Sequence, residues 1–386
     1  MKFKRIFLLI MDSLGVGEAD DAAEYNSKGA STLGHIMEKT LLFTPNLKKI
    51  GLLDTVTMAE NERDAYYTVA KPNNAGIDSL NGHYELMGIK SNIPFKTFND
   101  GFPMEILEAI CEITGRRIIG NKCAHSEDII KELGDKALNY GALIIYTSED
   151  SDLEVAAHED VIPVSMLHEY CEAIRKITLG EEYRVARIIA RPFTGTNGNF
   201  KLSNSGRRDY TIEPPKKTIL TDLTDNNYNV IGIGKINDIF DRKGINKMVN
   251  ASNNNEVINK LTDIMDKNFT GLCIATLPDF DLFGHMRDTE GYQKALEEFD
   301  VNVPIILNKL DTDDLLIITA DHGNDPTFTG KAHTRENVPV ILYSRRFMSP
   351  KRMKAFDTLS NVAATIADNF GIDMPEYGKS VLKELE

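Results

Sequence analysis

Leu315-Leu316-Ile317-Ile318-Thr319-Ala320-Asp321-His322-Gly323-Asn324 is an apolar run that stops at a carboxylate and an imidazole. The run is short, uncharged and rich in branched side chains, which reads as a buried strand of a parallel sheet. In an open α/β sheet, ligands bind at the carboxyl ends of strands, so Asp321 and His322 fall where a ligand site is expected. Neighbouring strand residues point to opposite faces. An Asp-His pair therefore converges on one ion only where strand gives way to loop, and Gly323-Asn324 supplies that turn. Alone, such a pair is more often a turn or a satisfied polar cap. Its partners elsewhere in the chain reverse that reading.

Outward from this stretch, short aliphatic runs alternate with amphipathic ones. Strands are expected at 5–11, 142–147, 185–190, 229–233, 271–277, 315–319 and 340–343. Helical spacing covers 257–268 and 358–370, with Gly371 placed to stop the second helix. The alternation predicts an α/β fold with a central, mainly parallel sheet flanked by helices. Asn92-Ile93-Pro94, Phe98-Asn99-Asp100-Gly101-Phe102-Pro103 and Ile212-Glu213-Pro214-Pro215-Lys216-Lys217 are breakpoints. They divide the chain into a core built from 1–95 and 214–386 and an inserted, smaller α/β cap domain at 96–213. There is no internal repeat or low-complexity tract, although 250–255 is a polar, Asn-rich loop.

Composition narrows the function classes. The 386 residues carry 44 Lys plus Arg against 58 Asp plus Glu, a formal charge of -14. That balance argues against nucleic acid or an anionic membrane as the partner. Met1-Lys2-Phe3-Lys4-Arg5 followed by 6–11 has the outline of a signal peptide. The apolar part is short, lacks a small-residue cleavage site and ends in Asp12-Ser13-Leu14-Gly15, so a first core strand is expected instead. Cys111, Cys123, Cys171 and Cys273 show no metal spacing and fit reduced thiols in a cytoplasmic protein.

Seven side chains from the two core segments form a candidate metal site. Asp12 follows the first strand, Ser79 lies in Gly76-Ile77-Asp78-Ser79, and Asp281 and His285 are four residues apart. Asp321, His322 and His333 complete the set. On a helix, Asp281 and His285 share a face and could grip one ion. Carboxylates, imidazoles and a hydroxyl without thiolate favour Mn²⁺, Mg²⁺ or Zn²⁺. Two ions about 4 Å apart activate an alkoxide and stabilise an in-line phosphoryl displacement, for which Ser79 is the natural nucleophile. A helix starting near Asp78 would aim free amides at a phosphate there. Singly, Asp12 reads as a loop cap, Asp281 as a helix N-cap, Ser79 as another cap and His333 as a loop histidine. Together, three aspartates and three histidines at or beyond strand ends point to metal. His35 and His83 read as supporting or structural groups, and His125, His158 and His168 as cap residues that are not ligands.

The chain resembles the phosphopentomutases of the alkaline phosphatase superfamily. Motifs that carry the resemblance include Ile10-Met11-Asp12-Ser13-Leu14-Gly15-Val16-Gly17, Gly82-His83-Tyr84-Glu85-Leu86-Met87-Gly88, Gly115-Arg116-Arg117-Ile118-Ile119-Gly120-Asn121, Ile189-Ala190-Arg191-Pro192-Phe193, Asp321-His322-Gly323-Asn324-Asp325-Pro326 and Met374-Pro375-Glu376-Tyr377-Gly378. The resemblance runs nearly end to end. It implies a two-Mn²⁺ enzyme, with Zn²⁺ or Mg²⁺ as alternatives, that interconverts ribose or deoxyribose 1-phosphate with the 5-phosphate in nucleoside salvage. By position, Asp12, Ser79, Asp321 and His322 would hold one ion, and Asp281, His285 and His333 the other. Ser79, primed by a sugar bisphosphate, would carry the phosphoryl group through a pentose bisphosphate intermediate. Ser148, Asp150, Arg187, Ile189, Arg191, Arg207 and Lys235 would face the small-molecule sugar phosphate, and a monomer is expected.

Several positions depart from that pattern. Ser79 stands where the family usually has Thr, and Asp281 and His285 are one residue closer than usual, which leaves Asp279 as a rival ligand. Tyr84 replaces a usual Trp, Asn81 a usual Thr and Ile77 a usual Lys. Glu149 and Asp152 replace uncharged residues; beside a bound sugar they would repel its phosphate unless they bond hydroxyls or pair with arginine. A phosphatase, or a mutase for another sugar phosphate, is the alternative reading. A non-catalytic sugar-phosphate sensor is a third, and the serine within the metal set argues against it.

Overall fold

A computed structural model describes residues 1–385 except Glu149, Glu181, Lys331 and the Asn204 side chain. The chain divides into two compact units, Met1–Pro94 with Pro214–Glu386, and Phe95–Glu213. In chain order, the larger unit begins with β1 (Arg5–Met11) and β2 (Tyr66–Ala70). The smaller unit contributes β3 (Ile118–Cys123), β4 (Leu143–Thr147), β5 (Asp152–His158), β6 (Arg187–Thr196), β7 (Asn199–Leu202) and β8 (Arg208–Thr211). The larger unit resumes with β9 (Asn229–Ile233), β10 (Lys247–Val249), β11 (Gly271–Leu277), β12 (Asp314–Thr319) and β13 (Val338–Tyr343).

The larger sheet runs β10-β9-β11-β1-β12-β13-β2. The pairings from β10 through to β12 are parallel, and β13 and β2 close the edge antiparallel, so the sheet is mainly parallel but mixed. β1, β11 and β12 are buried along their whole length. Each fully buried Leu, Ile or Phe contributes roughly 1.5–3 kcal/mol, which is why the most apolar runs take the centre. The one charge in β1 is matched: Arg5 Nε and Nη2 donate to Asp314 Oδ1 and Oδ2 at 2.8 and 2.6 Å. Helices Asn254–Met265, Thr289–Lys309 and Ser360–Phe370 flank the sheet, and Gly371 ends the last of them in the left-handed conformation, at φ 65°.

The smaller sheet is also mixed, in the order β3-β4-β5-β6-β7 with β8 on β6. Its two faces follow the period of two. Leu143, Ile145, Leu153, Val155, Ile188 and Ala190 pack in one buried cluster with Ile106, Ile110, Leu167 and Ile174. Ile144, Tyr146, Ala156 and Phe193 pack in another with Ile129, Ile130 and Leu133. Among the described residues, no helix is long and apolar enough to cross a membrane.

Candidate metal centre

Register places the site. β1 pairs Met11 with Leu277 and Ile10 with Thr319, so three adjacent parallel strands reach one edge together and release the chain at Asp12, Pro278 and Ala320. Asp12 is fully buried. Ser13 takes a positive φ of 76°, and its amide donates to Asp321 Oδ1 at 3.1 Å, tying the first loop to the third.

Ser79 is the first residue of the helix Ser79–Leu86, whose start is fixed by Asp78 Oδ1 accepting from the Asn81 amide at 2.9 Å. The Ser79 hydroxyl donates to Asp321 Oδ2 at 2.9 Å and lies 3.5 Å from Asp12 Oδ1. Lys235 Nζ donates to Asp12 Oδ2 at 2.8 Å and to Ser79 Oγ at 3.3 Å. The helix approaches this closely because Gly82 has no side chain; a Cβ there would strike the Asp321 backbone carbonyl.

A second group adjoins the first. Asp281 and His285 lie one turn apart on the helix Asp279–Met286. Asp281 Oδ1 is 3.4 Å from His285 Nε2 and 3.3 Å from His333 Nε2, and the two nitrogens face each other at 2.9 Å. His333 Nδ1 donates to the Ile77 carbonyl at 3.0 Å, which leaves Nε2 with its lone pair. Donor atoms about 2.1 Å from one ion sit roughly 3.0–3.4 Å apart in octahedral or tetrahedral arrangements, so this triangle has the size of one coordination face. Asp279 is engaged elsewhere: its Oδ2 accepts from the Asn254 amide at 3.0 Å, and its own amide donates to Asn254 Oδ1 at 3.1 Å. Asp281 is the carboxylate among the imidazoles.

His322 links the groups. Its Nε2 is 3.1 Å from Asp321 Oδ2 and 3.7 Å from Asp12 Oδ1, and its ring stacks on His333 at 4.0 Å. Paired backbone bonds between Gly323 and Thr334 hold the two loops together. Among the described residues, buried His322 Nε2 makes no well-directed hydrogen bond despite the nearby carboxylates, an arrangement a metal ion satisfies.

The charges agree with that fit. Burial, then the neighbouring Asp321, pushes the Asp12 carboxyl up. Burial would do the same to Asp281 and Asp321, but the surrounding imidazoles overcome it and hold both well below the carboxylate range. Burial opposes a proton on His322, yet Asp321, Asp281 and Asp12 raise it to about 10. Such a pocket attracts positive charge, and a bound divalent ion would take the place of the His322 proton. The donors therefore fit divalent metal on both sides of His322.

Residues 4–374 match the family described as the Metalloenzyme superfamily. The chain belongs to this metalloenzyme superfamily. The superfamily-level resemblance read from the motifs thus holds. Among solved structures, this metalloenzyme is similar to a Leishmania mexicana phosphoglycerate mutase crystallised at low cobalt concentration. The two are 13% identical over 98% of this chain and 97% of that one, with a TM-score of 0.51. It also matches the PH0037 protein from Pyrococcus horikoshii at 14% identity, over 89% and 86% of the chains, with a TM-score of 0.45. An alkaline phosphatase superfamily protein from Vibrio parahaemolyticus matches at 11% identity over 100% and 71%, with a TM-score of 0.46. At 13% identity the likeness to the Leishmania mexicana enzyme concerns the fold.

The other residues singled out in the sequence lie in the smaller unit. Arg187 Nε and Nη2 donate to Asp152 Oδ1 and Oδ2 at 2.8 and 2.9 Å, and Asp150 Oδ2 is 3.8 Å away. Arg191 pairs with Glu154 at 2.5 Å and Arg207 with Asp209 at 3.1 Å. Ile189 is buried on β6, and Ser148 Oγ lies 3.4 Å from Asp152 Oδ2. Burial lifts the Asp152 carboxyl to about 6 against the pull of Arg187. The departure at Glu149 lies outside the described residues.

Among the remaining histidines of the metalloenzyme, His83 Nδ1 is 3.0 Å from Asp321 Oδ2 and 2.8 Å from the Ser79 carbonyl. His35 Nδ1 meets Asp325 at 2.5 Å, while His158 and His168 bond the Gly195 and Gly206 carbonyls. Sequence reasoning passed over Arg335. Its buried guanidinium pairs with Asp21 and donates to the Asn74 and Gly76 carbonyls at 2.8 Å each, suspending the tract that leads into Ser79. Its place two residues after His333 was the available signal.

Proposed function

We propose that this metalloenzyme is a phosphopentomutase that moves a phosphoryl group between the 1- and 5-oxygens of ribose or deoxyribose through a phosphorylated Ser79. The observation that carries the reading is the position of Ser79 Oγ, at a helix N-terminus and within 3.5 Å of Asp12, Asp321 and Lys235. A serine in a purely structural role has no need of that company. The end-to-end motif resemblance supplies the pentose.

Asp12, Ser79, Asp321 and His322 would hold one Mn²⁺, and Asp281, His285 and His333 the other. Bound there, such ions lower the pKa of a coordinated hydroxyl and offset charge on a transferring phosphoryl group. The chain's own groups do the rest. Starting from phosphorylated Ser79, a free sugar hydroxyl takes the phosphoryl group and gives a pentose bisphosphate. After the bisphosphate reorients, Ser79 Oγ takes back the other one. Each transfer makes one P–O bond and breaks one, so no water is consumed. The Ser79 hydroxyl donates to Asp321 Oδ2, which fixes the direction of the attacking oxygen. Lys235 and the helix N-terminus place positive charge beside the transferring group.

A second reading, a mutase or phosphatase for a different sugar phosphate, is favoured by one observation. Arg187 and Arg191 are already matched by Asp152 and Glu154, which weakens them as grips for a second phosphate. Ribose 1-phosphate supplied with Mn²⁺ and a bisphosphate primer separates the readings. Ribose 5-phosphate without free phosphate supports the mutase, released phosphate supports a hydrolase, and binding without turnover rejects both.

A further inference from the structure

Beside the metal-facing groups, one cation gathers three segments of the larger unit. Arg287 follows the helix that bears Asp281 and His285 and takes the left-handed conformation, at φ 55°. That turn sends its guanidinium back along the helix end, where Nη1 donates to the Gly284 carbonyl at 2.7 Å. The same nitrogen donates to Asn324 Oδ1 at 2.6 Å, in the turn that follows Asp321-His322. Nε and Nη2 donate to the Gly330 and Ala332 carbonyls at 2.6 and 2.9 Å, on the approach to His333.

Asn324 completes the connection. It is fully buried, its amide donates to Thr32 Oγ at 3.1 Å, and its Nδ2 donates to Asp281 Oδ1 at 3.1 Å. Gly284 permits the approach, because a Cβ there would meet the Asn324 side chain. An amide suits this place: it orients the carboxylate by a hydrogen bond without adding a charge that would compete with a cation. The planar fork of Arg287 suits its own place, since it reaches carbonyls on separate segments at once; an ammonium on a lysine stem has no such fixed geometry.

From this network we propose that Arg287 and Asn324 are positioning residues for one half of the metal centre, the Asp281–His285–His333 half. Arg287 sets where the three ligands sit, and Asn324 sets which way Asp281 points. Their bonds reach Asp281 itself and the main chain beside His285 and His333, so their effect falls chiefly on that ion. The inference rests on the reading that each group of ligands holds an ion.

The test is titration of metal-depleted protein with Mn²⁺, followed by calorimetry and by the electron paramagnetic resonance of free Mn²⁺. Parent protein, Arg287→Lys, Arg287→Ala and Asn324→Ala are compared, with circular dichroism to monitor the fold. Removing such supporting bonds typically weakens metal binding about 10–100-fold. The expected result is two ions on the parent. In Asn324→Ala and Arg287→Lys, one ion is weakened by at least about tenfold while the other stays within about threefold. His285→Ala should show the same selective loss and Asp12→Ala the opposite one. Parent-like binding of both ions in folded Asn324→Ala and Arg287→Lys overturns the inference and leaves the metal reading standing. Equal weakening of both ions also overturns it. A parent that binds no divalent ion removes the metal reading itself, and the inference with it. Arg287→Ala is the variant most exposed to misfolding, so Arg287→Lys and Asn324→Ala decide the outcome.

Discussion

Gly82→Ala separates helix chemistry from site chemistry. Within the helix Ser79–Leu86 alone, alanine is favoured over glycine by about 1 kcal/mol, so local propensity expects a more stable protein. The added Cβ would fall on the carbonyl of Asp321, which is backbone and lies next to the carboxylate that receives the Ser79 hydroxyl at 2.9 Å. Relief requires the helix or the loop to move. Overpacking of this kind costs about 1–3 kcal/mol, which leaves a net destabilisation of roughly 0–2 kcal/mol after the helix gain. A displacement of about 1 Å between reacting groups lowers a rate about 10²-fold. Phosphoryl-transfer activity should therefore fall about a hundredfold while the urea midpoint moves little. Gly180→Ala, with nothing within 4 Å of the new Cβ, is the control for both measurements. If Gly82→Ala works within about threefold of the parent rate, the close approach of helix and loop does not set the nucleophile.

Other outcomes follow from the same geometry. Ser79→Ala should lower turnover by about 10⁴-fold or more with circular dichroism unchanged, and parent-like turnover would end the nucleophile assignment. Asp314→Ala should cost about 3 kcal/mol in urea unfolding, because it strands a buried guanidinium, at the low end of the range for broken buried pairs since Arg5 keeps Asp311 and two carbonyls. That change lies at the opposite end of the sheet, so the specific activity of the folded fraction should be unaltered; a proportional loss would mean the two ends are coupled. Chelation should abolish turnover and Mn²⁺ restore it, whereas activity that survives exhaustive chelation would remove the metal from the chemistry.

The corner at Asp321 and His322 was legible because a strand buried on both faces must be apolar, and its end is therefore abrupt. The same logic placed β1 and β11, and the Asp78-Ser79 pair marked a helix start. Helical spacing favoured Asp281, while the family's usual spacing kept Asp279 as a rival; in the structure the main-chain amide of Asn254, 25 residues upstream, takes the Asp279 carboxylate. β5 escaped notice because Asp152 and Glu154 make it look like a loop. In the sheet Asp152 lies opposite Arg187 and Glu154 meets Arg191 diagonally, and such cross-strand matching has no signature within either segment. Arg287 and Arg335 escaped for a related reason: many of their acceptors are main-chain carbonyls, which every residue has.

Asp12 and Asp321 are carried by neighbouring strands at the centre of the larger sheet, and Ser13 ties them through one hydrogen bond. Their separation is thus governed by the spacing of the backbone ladder, which cannot stretch gradually. On warming, an ion held between Asp12 and Asp321 would leave when β1 and β12 part, with no slow loosening beforehand. The release of that ion and the unfolding of the larger unit, recorded on a common temperature axis, should then share a midpoint.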